Sequence, residues 1–365
     1  MMYCANPSAQ FKSHQAEIEE AVLSVMRGNC YVLGNEVENL EQEFARYIGT
    51  QEAIGVASGT DAIELALRAL GIGLGDEVIT VSHTAVATVA AIEATGASPV
   101  LVDIEPEYYS LAPSQLEVVV TPSVKAVIAV HLYGQAADLD EISIFCKQHD
   151  LFLIEDVSQA HGATYKGKRL GSIGSVNCFS CYPTKNLGAI GDAGLITTNS
   201  AELAVKLRML REYGWHNRIS EFPGKNSRLD ELQAAILRIK LKYLDESNEK
   251  RRQLADYYVK HLAGLPIQLP KIRSETEAVF HLFVIQVQNR SELMCYMQER
   301  GIQLGIHYPV PVHQQAAYKD RVRTAKDMHV TDDVAKNIVS LPIYPELTFS
   351  EIDSVVNSMK EYFGQ

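Results

Sequence analysis

The stretch AVIAVHLYGQAADLDEISIFCKQHDLFLIE, residues 126–155, decides the fold. It opens on a short apolar run at 126–131, passes through helical spacing over 139–149, and closes on a second apolar run at 151–155. Strand, helix, strand in this rhythm implies a largely parallel sheet covered by helices on both faces, an α/β architecture.

The same alternation extends outward. Ile63, Leu67 and Leu70 recur at helical spacing and stop at Gly71, so a helix over 61–70 follows a strand at 53–57. Further strands are predicted at 99–104, 176–182 and 194–198, and a helix at 201–213. A polar loop at 219–227 leads into one long helical pattern, 229–262, read as the bridge between domains. Beyond it, 279–287 (strand), 292–300 (helix), 303–306 (strand) and 350–363 (helix) outline a smaller α+β unit. Length supports this division, since 365 residues exceed one ordinary core. The expectation is a large domain over 1–245 and a small α+β C-terminal domain over 246–365.

Composition narrows the function. The formal charge of −12 repels polyanions, and no basic stripe offsets it, which argues against nucleic-acid binding. No secretory signal or membrane-length apolar run is visible, so a cytoplasmic protein is expected. Six scattered cysteines lack the spacing of a disulfide framework. Cys178 and Cys181 form a C-x-x-C on a predicted strand, where alternation sends the two sulfurs to opposite faces. With no second pair to complete it, no metal site is expected.

Four segments carry chemistry. Ser58-Gly59-Thr60-Asp61-Ala62 lies where a strand turns into a helix, and a helix start presents unpaired N–H groups to a phosphate. Asp156, in Ile154-Glu155-Asp156-Val157-Ser158-Gln159, falls at the carboxyl end of a strand, where ligands collect in open α/β sheets. A carboxylate there can keep a pyridine nitrogen protonated, with Gln159 close enough to donate to the same ring. Ser180-Cys181-Tyr182-Pro183-Thr184-Lys185 offers a hydroxyl and then a lysine in an apolar, glycine-rich neighbourhood, which suits a desolvated amine for Schiff-base chemistry. Gly224-Lys225-Asn226-Ser227-Arg228 is a basic loop before a long helix. Each segment alone also reads blandly, as a capped helix, a strand-end aspartate, a loop lysine or a solvated loop. Their order and separation carry the inference.

In this order the segments resemble the sugar aminotransferases of the DegT/DnrJ/EryC1/StrS family, with the aspartate aminotransferase (PLP fold type I) fold. The likeness runs from Tyr31-Val32-Leu33-Gly34-Asn35-Glu36-Val37 to His307-Tyr308-Pro309-Val310-Pro311-Val312-His313. The resemblance implies pyridoxal 5′-phosphate (PLP) as cofactor. It places Gly59, Thr60 and Asp61 at the phosphate with Ser180, Asp156 at the pyridine nitrogen and Gln159 beside the ring hydroxyl. Lys185 is then the amine that joins the cofactor. It further implies a homodimer in which Asn226 reaches the neighbouring subunit's site, and a substrate side that includes Arg228, Tyr308 and His313. In one place the sequence departs from the pattern. Ala85 stands where many members carry an aromatic residue stacked on the cofactor, and His83, two residues away, is expected either to supply the flat group or to be a buried structural histidine.

The residues 178–191 and 208–215 are similar to the subgroup acting on dTDP-3-keto-6-deoxyhexoses. The resemblance therefore implies C3 amination of a nucleotide-linked keto sugar, with L-glutamate as amino donor, in the biosynthesis of a deoxyamino sugar for a lipopolysaccharide, S-layer or antibiotic glycan. Amination at C4 is the alternative. A dehydratase or a regulatory homologue would be expected to lack Lys185 or Asp156, and both are present.

Overall fold

The computed structural model describes residues 1–365. Its centre is a sheet whose principal strands, in chain order, are β1 (Glu52–Val56), β2 (Glu77–Val81), β3 (Ser98–Val102), β4 (Val124–Val130), β5 (Phe152–Asp156), β6 (Val176–Ser180) and β7 (Gly194–Thr198). They lie in the spatial order β1-β7-β6-β5-β4-β2-β3. All pairings among β2 to β6 are parallel, and β7 is antiparallel to both its neighbours. Strands β1 to β6 therefore all end on one edge, and β7 begins there. Near-continuous burial along these strands matches their unbroken apolar runs, as expected for a sheet covered on both faces.

The helix Gly59–Ala69 starts at the active edge because Ser58 caps it, its Oγ accepting the Asp61 N–H at 3.1 Å. Helix Leu139–Gln148 closes the crossover from β4 to β5 under the cap of Asp138. A second core gathers Leu254, Tyr258, Phe283, Ile285, Leu341, Ile352 and Val356 around the antiparallel pair Phe283–Gln286 and Ile338–Leu341.

Several elements differ from the sequence reading. The 229–262 pattern is two helices, Glu231–Lys242 and Leu244–Leu262, because Tyr243 (φ −106°, ψ 3°) leaves the helical ladder between them. Residues 303–306 form no strand, only a bridge from Gly305 to Ser340. The C-terminal part does not stay with the second core. Val312, Tyr318 and Ala325 pack on the first core, and Arg323–Thr324 adds to the large sheet parallel to β3. Strand β2 and the helices Pro7–Ser13, Gln15–Arg27, Asn35–Ile48 and Val86–Ala94 went unread. The last of these is apolar on every side and gives no helical period. Cys178 and Cys181 are buried free thiols. No helix is long and apolar enough to cross a membrane.

Candidate active site

A cavity of about 240 Å³ opens at the carboxyl edge of the sheet. Each contributor arrives from a strand end: Ser58 to Thr60 after β1, Thr84 to Thr88 after β2, Val130 from β4, Asp156 to Gln159 from β5, and Ser180 to Lys185 after β6. Pairing fixes their relative positions, since Val130 stands opposite Asp156, and Gly194 opposite both Ser180 and Val56.

One end of the cavity is built for an anion. A Cβ on Gly59 would stand 2.4 Å from Ser180 Cβ, and one on Gly194 would stand 2.3 Å from the Ser58 carbonyl oxygen. Only glycines let these three chain segments meet. That approach brings the start of helix Gly59–Ala69 and the Ser180 hydroxyl to one spot, with the positive end of the helix dipole facing it.

At the other end Asp156 is buried, with Oδ2 accepting the Thr88 hydroxyl at 3.0 Å and Oδ1 accepting the Ser158 N–H at 3.1 Å. Both bonds hold the plane of the carboxylate. Next to it, Gln159 Oε1 accepts the Tyr133 N–H at 2.8 Å, and Gln159 Nε2 donates to the Tyr308 hydroxyl at 3.1 Å. The amide is thereby oriented with its donor nitrogen toward the ligand side.

Lys185 completes the constellation. Burial lowers its amine from the ordinary lysine value to about 8, against the opposing pull of the Asp156 carboxylate and Cys181. Roughly a tenth of such an amine is neutral at neutral pH, far more than for a surface lysine. His161 and His307, which sense the Lys185 charge, are pushed down by burial first and by that charge second, to about 3 and about 4. Both imidazoles are therefore neutral beside Lys185. An amine, a carboxylate and an anion cradle in one cleft fit a phosphorylated pyridine aldehyde.

A family model for DegT/DnrJ/EryC1/StrS aminotransferases matches residues 12–360. The chain belongs to that family. It is 46% identical over 350 residues, 96% of each chain, to the dTDP-3-amino-3,6-dideoxy-alpha-D-galactopyranose transaminase of Aneurinibacillus thermoaerophilus. With the dTDP-3-amino-3,4,6-trideoxy-alpha-D-glucose transaminase of Streptomyces venezuelae it shares 45% identity over 97% of this chain and 94% of the other. The structure of S. venezuelae DesV in complex with a ketimine intermediate superposes with a TM-score of 0.96 at 43% identity, covering 100% of this chain and 98% of that one. The Bacillus subtilis protein ntda, solved with bound cofactor PMP, superposes with a TM-score of 0.89 at 32% identity, over 97% of this chain and 82% of that one. This aminotransferase uses pyridoxal phosphate.

Not every expected residue reaches the cavity of this aminotransferase. His83 is enclosed, its Nε2 2.7 Å from the Tyr133 hydroxyl and its ring edge-on to Tyr133, and it does not line the cavity. The Asp61 carboxylate is drawn to Lys225 Nζ (2.6 Å) and the Ser227 hydroxyl (2.7 Å), a cation and a donor that it meets outside the cradle. Asp61 thus fastens the 225–227 loop through its carboxylate. Asn226 is exposed outside this chain's own cavity and accepts from Arg228 Nε at 3.0 Å. Tyr308 meets the site only through Gln159, while His313 is held by Ser82 and Asp332. Thr88 and Tyr133, which hold Asp156 and Gln159, were not assigned from sequence. Their partners lie 68 and 26 residues away, and no local motif announces them.

Proposed function

We propose that this aminotransferase aminates C3 of a dTDP-linked 3-keto-6-deoxyhexose, taking nitrogen from L-glutamate. The observation that carries the reading is the meeting of Lys185 and Asp156 in one cavity with the Gly59–Ser180 cradle. The names of the two relatives at 45–46% identity, both dTDP-3-amino sugar transaminases, support the substrate class.

In this reading Gly59, Thr60 and Ser180 anchor the phosphate, and Gln159 donates to the ring hydroxyl. Asp156 faces the pyridine nitrogen, in the orientation that Thr88 and the Ser158 N–H hold. The bound coenzyme ring supplies an electron sink for negative charge at the substrate carbon. Lys185, with its amine near neutrality, takes a proton from the donor's α-carbon and returns one to the coenzyme's C4′ position, then runs the same transfer in reverse for the sugar. Arg228, Tyr308 and His313 are assigned to the substrate side. Asn226 is assigned to the partner's site in a homodimer, a reading that its exposure outside its own cavity supports.

The test is direct. The purified holoenzyme is expected to be yellow, to bleach on addition of L-glutamate, and to regain colour with the dTDP-3-keto sugar. Parallel incubation with dTDP-3-keto and dTDP-4-keto sugars, with products identified by NMR, checks the position. Amination of the 4-keto compound alone overturns the C3 assignment, and a Lys185→Ala enzyme that still turns over overturns the role of Lys185.

A further inference from the structure

Tyr133 bonds to the site from both of its ends. Its backbone N–H donates to Gln159 Oε1 at 2.8 Å, and its phenol donates to the carbonyl of His307, the residue before Tyr308. Tyr308 in turn accepts from Gln159 Nε2 at 3.1 Å. Tyr133, Gln159 and the 307–308 segment thus close a ring of three hydrogen bonds. The ring ties the end of β4 and the end of β5 to a chain segment that arrives through the smaller domain.

Three further features hold Tyr133 in this pose. His83 Nε2 lies 2.7 Å from the same phenol, and as the phenol proton is committed to His307, the imidazole is the donor. The Tyr133 backbone is left-handed (φ 60°, ψ 2°), a conformation that non-glycine residues rarely adopt and that persists where surroundings over-determine it. Its carbonyl accepts the Leu282 N–H, and the neighbouring Gly134 carbonyl accepts the Val279 N–H. A Cβ on Gly134 would stand 2.9 Å from the backbone nitrogens of Phe280 and His281, so the 279–282 segment is pressed against this turn. The Tyr133 side chain is buried and is not part of the cavity wall.

We propose that Tyr133 is a positioning residue with two separable outputs: its N–H sets the Gln159 amide that faces the coenzyme, and its phenol sets the Tyr308 segment that faces the sugar. Because Gln159 Oε1 is committed to Tyr133, the free N–H on Gln159 Nε2 is the group left for a ligand acceptor. The Tyr308 hydroxyl accepts from Gln159 and keeps its own proton for the substrate. The proposal rests on the coenzyme-side reading of Gln159 and the substrate-side reading of Tyr308.

The holoenzyme variants Tyr133→Phe, Tyr308→Phe and Gln159→Leu separate the outputs. Tyr133→Phe keeps the N–H and loses only the phenol, so its visible spectrum and the pH titration of that band should match wild type. Its KM for the keto sugar should rise about five- to tenfold, the scale of one net hydrogen bond. Tyr308→Phe should behave alike, and the double variant should be no worse than either single one, because both break the same ring. Gln159→Leu should shift the visible titration. An unmoved titration in Gln159→Leu sinks the coenzyme-side reading of Gln159 and leaves the phenol prediction standing. An unchanged sugar KM in both phenylalanine variants, additive losses in the double variant, or a Tyr133→Phe spectrum shifted like that of Gln159→Leu overturns the positioning role.

Discussion

Gly59 and Ser180 touch so closely that a methyl group at position 59 would stand 2.4 Å from Ser180 Cβ and 2.9 Å from its Cα. The contact joins a helix start to a strand end and shapes the anion cradle between them. Gly59→Ala should therefore push β6 away from the helix, costing about 1–3 kcal/mol of stability by overpacking. Affinity for pyridoxal phosphate should fall about tenfold or more, because both halves of the cradle separate. Titration of the apo-protein with the coenzyme, followed by visible absorbance, checks this.

Thr88 is the donor to Asp156 Oδ2 within a buried site. Thr88→Val preserves shape and removes one hydrogen bond to a charged group, worth about 1.5–3 kcal/mol. The expected loss in kcat is about ten- to a hundredfold, and the thermal unfolding midpoint should fall as well, because the buried carboxylate loses a donor. Equal kcat in the variant would show that Thr88 does not hold the carboxylate for the reaction.

Burial lowers Lys185 to about 8, so the neutral amine becomes the major form above that pH. The rate at which apo-protein acquires the visible band with pyridoxal phosphate should rise with pH to a midpoint near 8. Asp156 opposes the shift, so in Asp156→Asn the midpoint should move below 8. Stopped-flow absorbance over a pH series reads both, and a midpoint in the range of an ordinary surface lysine contradicts the assignment.

Glu155, beside Asp156 in β5, is fully buried and accepts from His131 Nε2 at 3.0 Å and from the N–H groups of Gly171, Ile173 and Gly174 at 2.8–2.9 Å. Burial alone would raise its carboxyl, but these donors outweigh it and hold the group below the ordinary glutamate value. A lowered carboxyl stabilises the fold above its unfolded value near 4.5, and the stabilisation is lost as pH falls through the folded value. Glu155→Gln aims an amide donor at those donors and should cost about 3–5 kcal/mol at neutral pH. Urea unfolding should show that the gap to wild type narrows below about pH 4.5.

The strand-to-helix rhythm is a local property, and most sheet strands were legible from it because a strand buried on both faces must be apolar along its length. Asp156, Ser180 and Lys185 are legible for the same reason: the first two close such a run and Lys185 lies five residues beyond the second, so their place on the carboxyl edge follows from chain order. Strand β2 and the helix Val86–Ala94 are not legible in this way. In a uniformly apolar helix the period that would reveal it is absent.

What a side chain does once it reaches the site depends on partners that sequence distance hides. Asp61 stands at the start of a helix, where a phosphate is expected, yet Lys225 and Ser227, brought from 164 and 166 residues away, draw its carboxylate to themselves. His83 has the right spacing to stack in place of Ala85, but Tyr133 claims its ring nitrogen inside the core. The sequence by itself determined the family and the cofactor, since these rest on residue types at fixed positions along the chain. Only the tertiary structure decided which groups orient Asp156 and Gln159. Hydrogen bonds are directional and short, and the chain has to fold before Thr88 and Tyr133 come within 3 Å of them.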